Sequence, residues 1–334
     1  MIGFVSYLAF FLTMAAIFAI AVLGLNLQWG YTGLFNGGVV AFFGAGAYAT
    51  MILGGRPDPT VMGGFELPFL VAVCGGILAA GLLAWIVGIL TLRLRHDYLA
   101  IATFGVAIAF ESVTRNAEWL TGAARGLRGF PRPFEAAIGN TFVYNLVFLA
   151  FVLAVLVLVY LGLERLVRSP FGRALRAIRD DETASRAVGK DPTRLRLTSF
   201  VLGAMIMGIA GALYVTFYAF VSPQDLAPIL TFQIWAMLIV GGAGNNRGAI
   251  LGAFAIWAVW TASGFALSRF APQAMQIYSG SIQFILIGSI IVGMLLWRPQ
   301  GLLPERLERS AGARRRGEAE AAAAARAQRG VVGP

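Results

Sequence analysis

The sequence is short of charge, cysteine and histidine, and each shortage excludes a class of protein. Only 13% of the 334 residues are charged, against roughly a quarter in average soluble domains. The first charged residue is Arg56, so we do not expect a secretory signal peptide, which needs a basic start. One cysteine (Cys74) and one histidine (His96) exclude a disulfide framework and argue against haem or a His/Cys metal site. We expect Cys74 to be a small core residue.

Catalytic motifs are also missing. The sequence contains no H-E-x-x-H, no G-x-S-x-G and no paired carboxylates within an apolar run. Gly189-Lys190 is followed by Asp191 and lacks the upstream glycine of a P-loop, so the chain should not bind ATP as an ATPase does. We therefore expect a protein that is not an enzyme and holds no cofactor of its own.

Apolar residues are abundant. They make up 58% of the chain, the mean hydropathy is +0.77, and 41 glycines are present, which suit close packing of membrane helices. Because about 20 apolar residues cross a bilayer as a helix, the sequence predicts an all-α polytopic membrane protein with about nine (eight to ten) transmembrane helices. The seventh run is short enough to be a half-helix or re-entrant segment. The runs cover residues 3–25, 33–54, 67–92, 98–114, 142–163, 197–221, 229–242, 249–268 and 277–297.

The positions of the basic residues predict the orientation. With the N-terminus outside, the inner segments hold twenty of the 26 Lys and Arg residues, as the positive-inside rule requires. We expect an inner (plasma) membrane protein with a cytoplasmic C-terminus. The inner segments then carry the whole net charge of +10. This charge lies next to membrane lipid and does not indicate nucleic-acid binding. Residues 1–304 form the predicted transmembrane domain, and residues 305–334 form a low-complexity basic tail in the cytoplasm.

The longest inner loop, residues 164–196, predicts a cytoplasmic amphipathic helix, or two short ones. Ser169 is a favoured N-cap residue, Pro170 is a favoured first helical residue, and Gly189 is a natural terminator. Between them, apolar residues recur at helical spacing with arginines beside them: Phe171, Leu175 and Ile178, and Arg173, Arg176 and Arg179.

The glycine-rich stretch from Gly24 to Tyr48 has two interpretations. It is either ordinary close packing or a kink between helices, or an unwound segment whose backbone lines a pathway. The residues alone leave these two interpretations open. The stretch supplies four polar side chains: Asn26, Gln28, Thr32 and Asn36.

Two further positions have competing interpretations. Glu111 is the one acid within a predicted span. We favour a structural ion pair with Arg115, four residues later, near the outer interface; the alternative is contact with a transported molecule. The stretch from Gly241 to Ala253 suits a tight inner hairpin, and the alternative adds a contact from Arg247 to a cytoplasmic partner.

Four blocks, in order, carry a resemblance to a known family. They are GLNLQWGYTGLFN with FFGAGAY, LTLRLRHDYLAIATFG leading into WLTGAARGLRGFPRPF, SPFGRALRAIRDDETASRAVGKD running into FVLGAMIMGIAGALY, and GGAGNNRGAILGA with LLWRPQGLLPE. The sequence resembles the LivM-type permease subunit of branched-chain amino-acid ATP-binding-cassette (ABC) importers over roughly residues 8–304. The resemblance implies alternating access powered by separate ATPase subunits.

The resemblance also implies partners and site residues. The partners are a second, LivH-like permease chain, a periplasmic binding protein and two cytoplasmic ATPases, which hold ATP and Mg. Loop 164–196 resembles the coupling segment that docks on the ATPase, with a helix lying on the membrane surface as the alternative. The residues we expect to couple to the ATPase are Phe171, Gly172, Arg173, Arg176, Ile178, Arg179 and Gly189. Those we expect along the translocation pathway are Asn26, Gln28, Thr32, Asn36, Thr121 and Gly122.

The chain departs from the family pattern at two places. In the fourth span it has Ile108 where many relatives have glutamate, and Glu111 where the arginine would be. In the first block it has Leu34, Asn36 and Val39 where relatives often have Gln, Ser and His. These departures leave open a cargo such as urea, short amides or other amino acids. A stand-alone secondary transporter is the alternative from a different class, and the lack of a proton-relay chain argues against it.

Overall fold

Apolar helices form the framework of the structure, a computed structural model that describes residues 2–94, 96–133, 135–270, 272, 276 and 278–305. In these residues, seven helices are long and apolar enough to cross a membrane, and two shorter apolar helices cover Val39–Gly54 and Ile229–Gly241. The predicted all-helical polytopic fold is therefore confirmed. The helices are α1 (Ile2–Asn26), α2 (Val39–Gly54), α3 (Phe69–Thr91), α4 (His96–Asn116), α5 (Glu118–Thr121), α6 (Glu135–Ile138), α7 (Thr141–Arg168), α8 (Pro170–Asp180), α9 (Glu182–Ala187), α10 (Pro192–Tyr218), α11 (Ile229–Gly241), α12 (Asn246–Phe270) and α13 (Ser279–Trp297).

Residues Met1–Pro304 form one compact unit. Within it, two short strands, β1 (Leu127–Arg128) and β2 (Phe220–Val221), pair antiparallel. Residues 306–334, which carry most of the predicted basic tail, lie outside the described residues.

Contacts between loops sort the helix ends into two sets. On one side, the Gly129 amide after α5 donates to the Ala219 carbonyl at the end of α10 (3.1 Å). On the other side, the Gly244 amide between α11 and α12 donates to Asn26 Oδ1 at the end of α1 (2.8 Å). Ser199, near the start of α10, contacts Thr32 just after the end of α1, so α1 and α10 run in opposite directions.

Helix α10 lies at the centre of the unit and packs against α1, α2 and α3. Glycines allow this close approach. A Cβ on Gly24 of α1 would lie 2.5 Å from the Gly203 carbonyl oxygen of α10, and a Cβ on Gly208 would lie 2.6 Å from Ala80 Cβ of α3. Most residues of helices α1 and α10 are buried, whereas few residues of α12 and α13 are. Small residues thus allow the helix backbones to approach one another closely in the core.

The prediction that Cys74 is a core residue is wrong. Cys74 is exposed on α3, whose buried side is made of small residues such as Ala72, Gly76 and Ala80. Large apolar side chains, Leu78 among them, point outward from the same helix. A surface that faces lipid is as apolar as a core, so an apolar run does not reveal which of its sides is buried.

The chain unwinds between α1 and α2. A π-helical turn, Leu27–Tyr31, follows Asn26, and α2 begins at Val39, later than the predicted start of the second span at residue 33. Gly33 has a φ of +73°, a conformation that strains residues with a side chain. The glycine-rich stretch therefore contains an unwound segment, residues 32–38, which follows the π-helical turn.

The loop between α7 and α10 forms two short helices, the alternative that the sequence left open to a single amphipathic helix. Ser169 Oγ accepts a hydrogen bond from the Phe171 amide (3.2 Å) and caps α8. Asp181 Oδ1 accepts from the Ala184 amide (2.9 Å) and caps α9. Gly189 follows α9 with a φ of +77°. Capping by the short polar side chain of Ser169 is why the predicted start of α8 is confirmed.

Candidate translocation and coupling site

Buried polar side chains hold the unwound segment. Gln28 Nε2 donates to the Phe200 carbonyl of α10 (2.7 Å), and Gln28 Oε1 accepts from Asn36 Nδ2 (2.7 Å). Asn36 Oδ1 in turn accepts from the Gly38 amide (2.7 Å). Both side chains are fully buried. Because a buried polar group without a partner is costly, these bonds stabilise the path of the segment.

A second chain of hydrogen bonds joins the end of α1 to two other helix ends. Asn26 Oδ1 accepts from the Gly244 amide (2.8 Å), and Asn26 Nδ2 donates to Asn246 Oδ1 (2.9 Å). Asn246 Nδ2 donates to Glu164 Oε2 (3.1 Å). This series of hydrogen bonds connects α1, the α11–α12 turn and the end of α7, next to the first residues of α8. Sequence reasoning missed Asn246 and Glu164, which lie far from Asn26 along the chain.

Thr32 attaches the segment to the start of α10. Its Oγ1 donates to the Leu27 carbonyl (2.9 Å) and lies 2.6 Å from Ser199 Oγ. Four of the six predicted pathway residues are thus buried and hydrogen-bonded in or next to this segment: Asn26, Gln28, Thr32 and Asn36.

The other two predicted pathway residues lie in the loop that follows α4. Thr121 is buried, and its Oγ1 donates to the Thr114 carbonyl (2.7 Å). Gly122 ends α5 with a φ of +68°. Their contacts hold this loop together, on the opposite set of helix ends from the unwound segment.

Three aromatic rings cover the segment. Phe35 stacks on Trp235 of α11 with ring centroids 4.3 Å apart, and Trp29 lies edge-on to Trp235 at 5.4 Å. Trp235 Nε1 also donates to the Asn36 carbonyl (2.9 Å). Trp29 and Phe35 are half-buried. Spacing along the sequence could not predict this cluster, because Trp235 belongs to a distant helix.

One face of α8 packs against the rest of the chain. Leu175 and Ile178 are fully buried, Gly172 is buried and Phe171 is half-buried. A side chain at Gly172 would collide with the backbone of Val167 in α7. The predicted amphipathic pattern is thus present, and its apolar face lies inside this chain.

The three arginines of α8 donate to backbone carbonyls at two helix ends. Arg173 Nη1 donates to the Arg168 carbonyl (3.2 Å), and Arg176 Nη2 donates to the Val167 carbonyl (3.2 Å), both at the end of α7. Arg179 Nη1 donates to the Gly30 carbonyl in the π-helical turn after α1. Positive groups stabilise the carbonyl ends of helices. Arg173 is exposed, whereas Arg176 and Arg179 are half-buried.

The residues that follow α9 present an apolar tip. The Val188 side chain is 75% exposed, and Arg186, Gly189 and Lys190 beside it are also exposed. A large apolar residue at the tip of a charged loop suits contact with another protein. Sequence reasoning selected Gly189 but missed Val188.

Glu111 and Arg115 form an ion pair on α4. Glu111 Oε1 lies 2.7 Å from Arg115 Nη2 and also accepts from Arg115 Nε (2.9 Å). The side chain of Glu111 is 18% exposed and that of Arg115 is 46% exposed. The pairing is thus present, and its role stays a prediction.

The stretch between α11 and α12 is a tight turn. Gly242 and Gly244 have positive φ values of +109° and +80°. Arg247, just after them, donates from Nε to Tyr160 Oη of α7 (3.1 Å) and is exposed. Among the residues that the structure describes, no group of three or more His, Cys, Asp or Glu could hold a metal ion.

Membrane-spanning helices, an unwound segment between them and a helical loop that contacts it define a multi-pass membrane transport subunit. The chain belongs to the family "Branched-chain amino acid transport system / permease component", which matches residues 7–296. It is a LivM-like ABC transporter permease, a transport subunit without catalytic activity. Subunits of this family carry no cofactor, and the ATPase is a separate subunit.

Three curated relatives illustrate the similarity. The chain is 31% identical to the high-affinity branched-chain amino acid transport system permease protein LivM of Salmonella typhimurium, over 87% of this chain and 69% of the relative. It is 22% identical to LivH of the same organism, over 87% of this chain and 92% of the relative. It is 27% identical to the autoinducer 2 import system permease protein LsrC of an Enterobacter species, over 57% of this chain and 54% of the relative. No solved structure matches the chain.

Proposed function

We propose that this chain is one of two permease subunits in an ABC importer that moves branched-chain amino acids across the inner membrane by alternating access. The second subunit is a LivH-like chain, two cytoplasmic ATPases supply the energy, and a periplasmic binding protein delivers the cargo. The similarity to both LivM and LivH over 87% of this chain supports a pair of related permeases. Movement must come from a difference in how ATP-bound and ATP-free ATPases bind the two states of the permease.

The proposed orientation places the N-terminus outside and the C-terminus in the cytoplasm. Helix α8 contacts both the end of α7 and the turn after α1, so these helix ends share one side. That side also carries nine of the basic residues, in the loop 164–196. The positive-inside rule assigns it to the cytoplasm.

We assign ATPase docking to the exposed side of α8 and the tip after α9. Arg173, Arg186, Val188 and Lys190 are the exposed residues that carry this assignment. Covering Val188 would contribute about 1.5 kcal/mol or more to docking, the typical value for burying a side chain of this size. Phe171, Gly172 and Ile178 would then couple indirectly, by fixing α8 onto the rest of the permease.

A tip substitution tests this assignment. Val188→Asp should release the ATPases, because docking would bury a charge without a partner. Met62→Asp is the matched control, since Met62 is also a largely exposed apolar residue and lies on the other set of helix ends. The two variants are purified through a tag on this chain, and the bound ATPase is measured. Equal recovery of ATPase with both variants would refute the docking surface.

We place the translocation pathway beside the unwound segment, against the second permease. Backbone without helical structure is tolerated at membrane depth only where protein buries it or where it lines a cavity. Trp29 and Phe35, half-buried beside the segment, would face the partner. Thr121 and Gly122, on the opposite set of helix ends, remain candidates for the outer end of the pathway.

Competition for uptake tests the cargo. In the complete importer, unlabelled isoleucine and valine should block uptake of radiolabelled leucine, whereas urea and autoinducer 2 should not. The longer match to LivM than to LsrC favours this result. Block by urea or autoinducer 2 at equal concentration, without block by valine, would assign a different cargo.

A further inference from the structure

The carbonyl end of α1 receives its positive charge from α8. Helix α1 contains no charged residue, although a cation stabilises the negative end of a helix. Arg179 of α8 supplies the missing cation by donating from Nη1 to the Gly30 carbonyl. The side chain of Arg179 is only 23% exposed, so this bond is sheltered from water and stronger than a surface contact.

Arg179 lies directly against the unwound segment. A Cβ added to Gly33 would be 3.0 Å from Arg179 Cγ, which is tighter than normal packing. Gly33 also needs its positive φ of +73° to turn the chain here. Glycine at this position therefore permits both the turn and the close approach of the arginine.

The same turn is anchored elsewhere to parts of the chain outside α8. Asn26, just before the turn, is bonded to the Gly244 amide and to Asn246, which is bonded to Glu164 of α7. Just after the turn, Thr32 contacts Ser199 of α10. The turn thus lies between fixed points, with Arg179 contacting its middle. Single π-helical turns are rare and are often found at functional sites.

We propose that Arg179 is the positioning residue through which α8 moves the unwound segment, and so links ATPase movement to the translocation pathway. This inference rests on the proposed function. Arg173 and Arg176 differ from Arg179 because they donate to the end of their own neighbouring helix, α7. Only Arg179 among the three joins α8 to the turn after α1.

The first experiment uses the complete importer in liposomes with Arg179→Met. ATPases should stay bound and hydrolyse ATP, while uptake falls about tenfold, the factor expected when a bond to a charged group is lost. Arg179→Lys should keep most uptake, because it keeps the charge and a donor. Arg194→Met is the matched control, since Arg194 is an exposed arginine in the first turn of α10, and it should behave as the unmodified chain does.

The second experiment follows the segment itself. The chain has one cysteine, Cys74, so Cys74→Ser with Phe35→Cys gives a single label site on the unwound segment. Its labelling rate should differ between the nucleotide-free importer and the importer trapped with ATP. Arg179→Met should remove that difference while the ATPases remain bound. A difference that persists would overturn the proposal.

The remaining outcomes also decide the matter. Release of the ATPases by Arg179→Met would place Arg179 in the docking surface and overturn this inference, while leaving the proposed function intact. The proposed docking surface fails separately, when Val188→Asp leaves the ATPases bound. Where the methionine variant does not insert, Arg179→Gln is compared with Arg179→Lys. Loss of uptake in the Arg179→Gln variant alone, with the ATPases still bound, supports the proposal. Equal uptake in the Arg179→Gln and Arg179→Lys variants overturns it.

Discussion

Asn26 offers the sharpest test of how the unwound segment is held. Replacing it with alanine removes the acceptor for the Gly244 amide and the donor to Asn246 Oδ1. Asn26, Gly244 and Asn246 are all buried, so water does not readily replace either bond. A buried polar group left without a partner costs about 1–3 kcal/mol, and side-chain hydrogen bonds in membranes average nearer ~0.6 kcal/mol. Because two groups lose their partner, we expect Asn26→Ala to lower the free energy of unfolding by about 1–6 kcal/mol, the lower end from the membrane average and the upper end from the buried-group cost.

Asn116→Ala is the matched control. Asn116 Nδ2 donates to the Ser112 carbonyl on the same helix (2.7 Å), and the side chain is exposed. Its loss should change the free energy of unfolding by less than about 0.5 kcal/mol. Unfolding of the two purified variants is measured by denaturant titration in detergent. Equal stability of the two variants would refute the conclusion that Asn26 anchors the turn.

Three further predictions concern α4, the core and the docking surface. Glu111→Gln should reduce uptake only modestly, since an i,i+4 ion pair on a helix contributes a few tenths of a kcal/mol. Glu111→Arg with Arg115→Glu should restore most of the loss. A swap that stays inactive while the glutamine variant alters cargo preference would instead indicate cargo contact. Gly208→Leu should lower the amount of folded protein by overpacking against α3, at a cost of about 1–3 kcal/mol. Gly288→Leu, where nothing lies within 4 Å of an added Cβ, should not, and equal fluorescence-detected expression would contradict the packing. Arg173→Glu should weaken co-purification of the ATPase, and unchanged recovery would remove Arg173 from the docking surface.

The membrane-spanning helices were predictable because each is a continuous apolar run. The predicted runs 98–114 and 142–163 became α4 and α7, and the short seventh run became α11, with 13 residues. The capped start of α8 was predictable for a local reason, since Ser169 and Pro170 lie at the helix start itself. The Asp181 cap of α9 was missed. Fold elements that local sequence determines were therefore predictable.

The links between helices were not predictable from the sequence. Asn26 and Asn246 are 220 residues apart, and nothing near either residue specifies the other. The arginines of α8 follow a regular spacing, yet Arg176 and Arg179 contact different helix ends. The distribution of apolar residues did not predict that Cys74 is exposed, because lipid and protein interior favour the same side chains. These features depend on how distant segments pack.

The central claim, that this chain transports cargo only as part of an ATP-driven complex, is tested by reconstitution. The complete importer and the two permease subunits alone are placed in separate liposomes, and uptake of radiolabelled leucine is measured with the binding protein outside and ATP inside. We expect saturable uptake in the complete importer, and none without the ATPases. Saturable uptake by the permease subunits alone, driven by a proton or sodium gradient, would contradict the account.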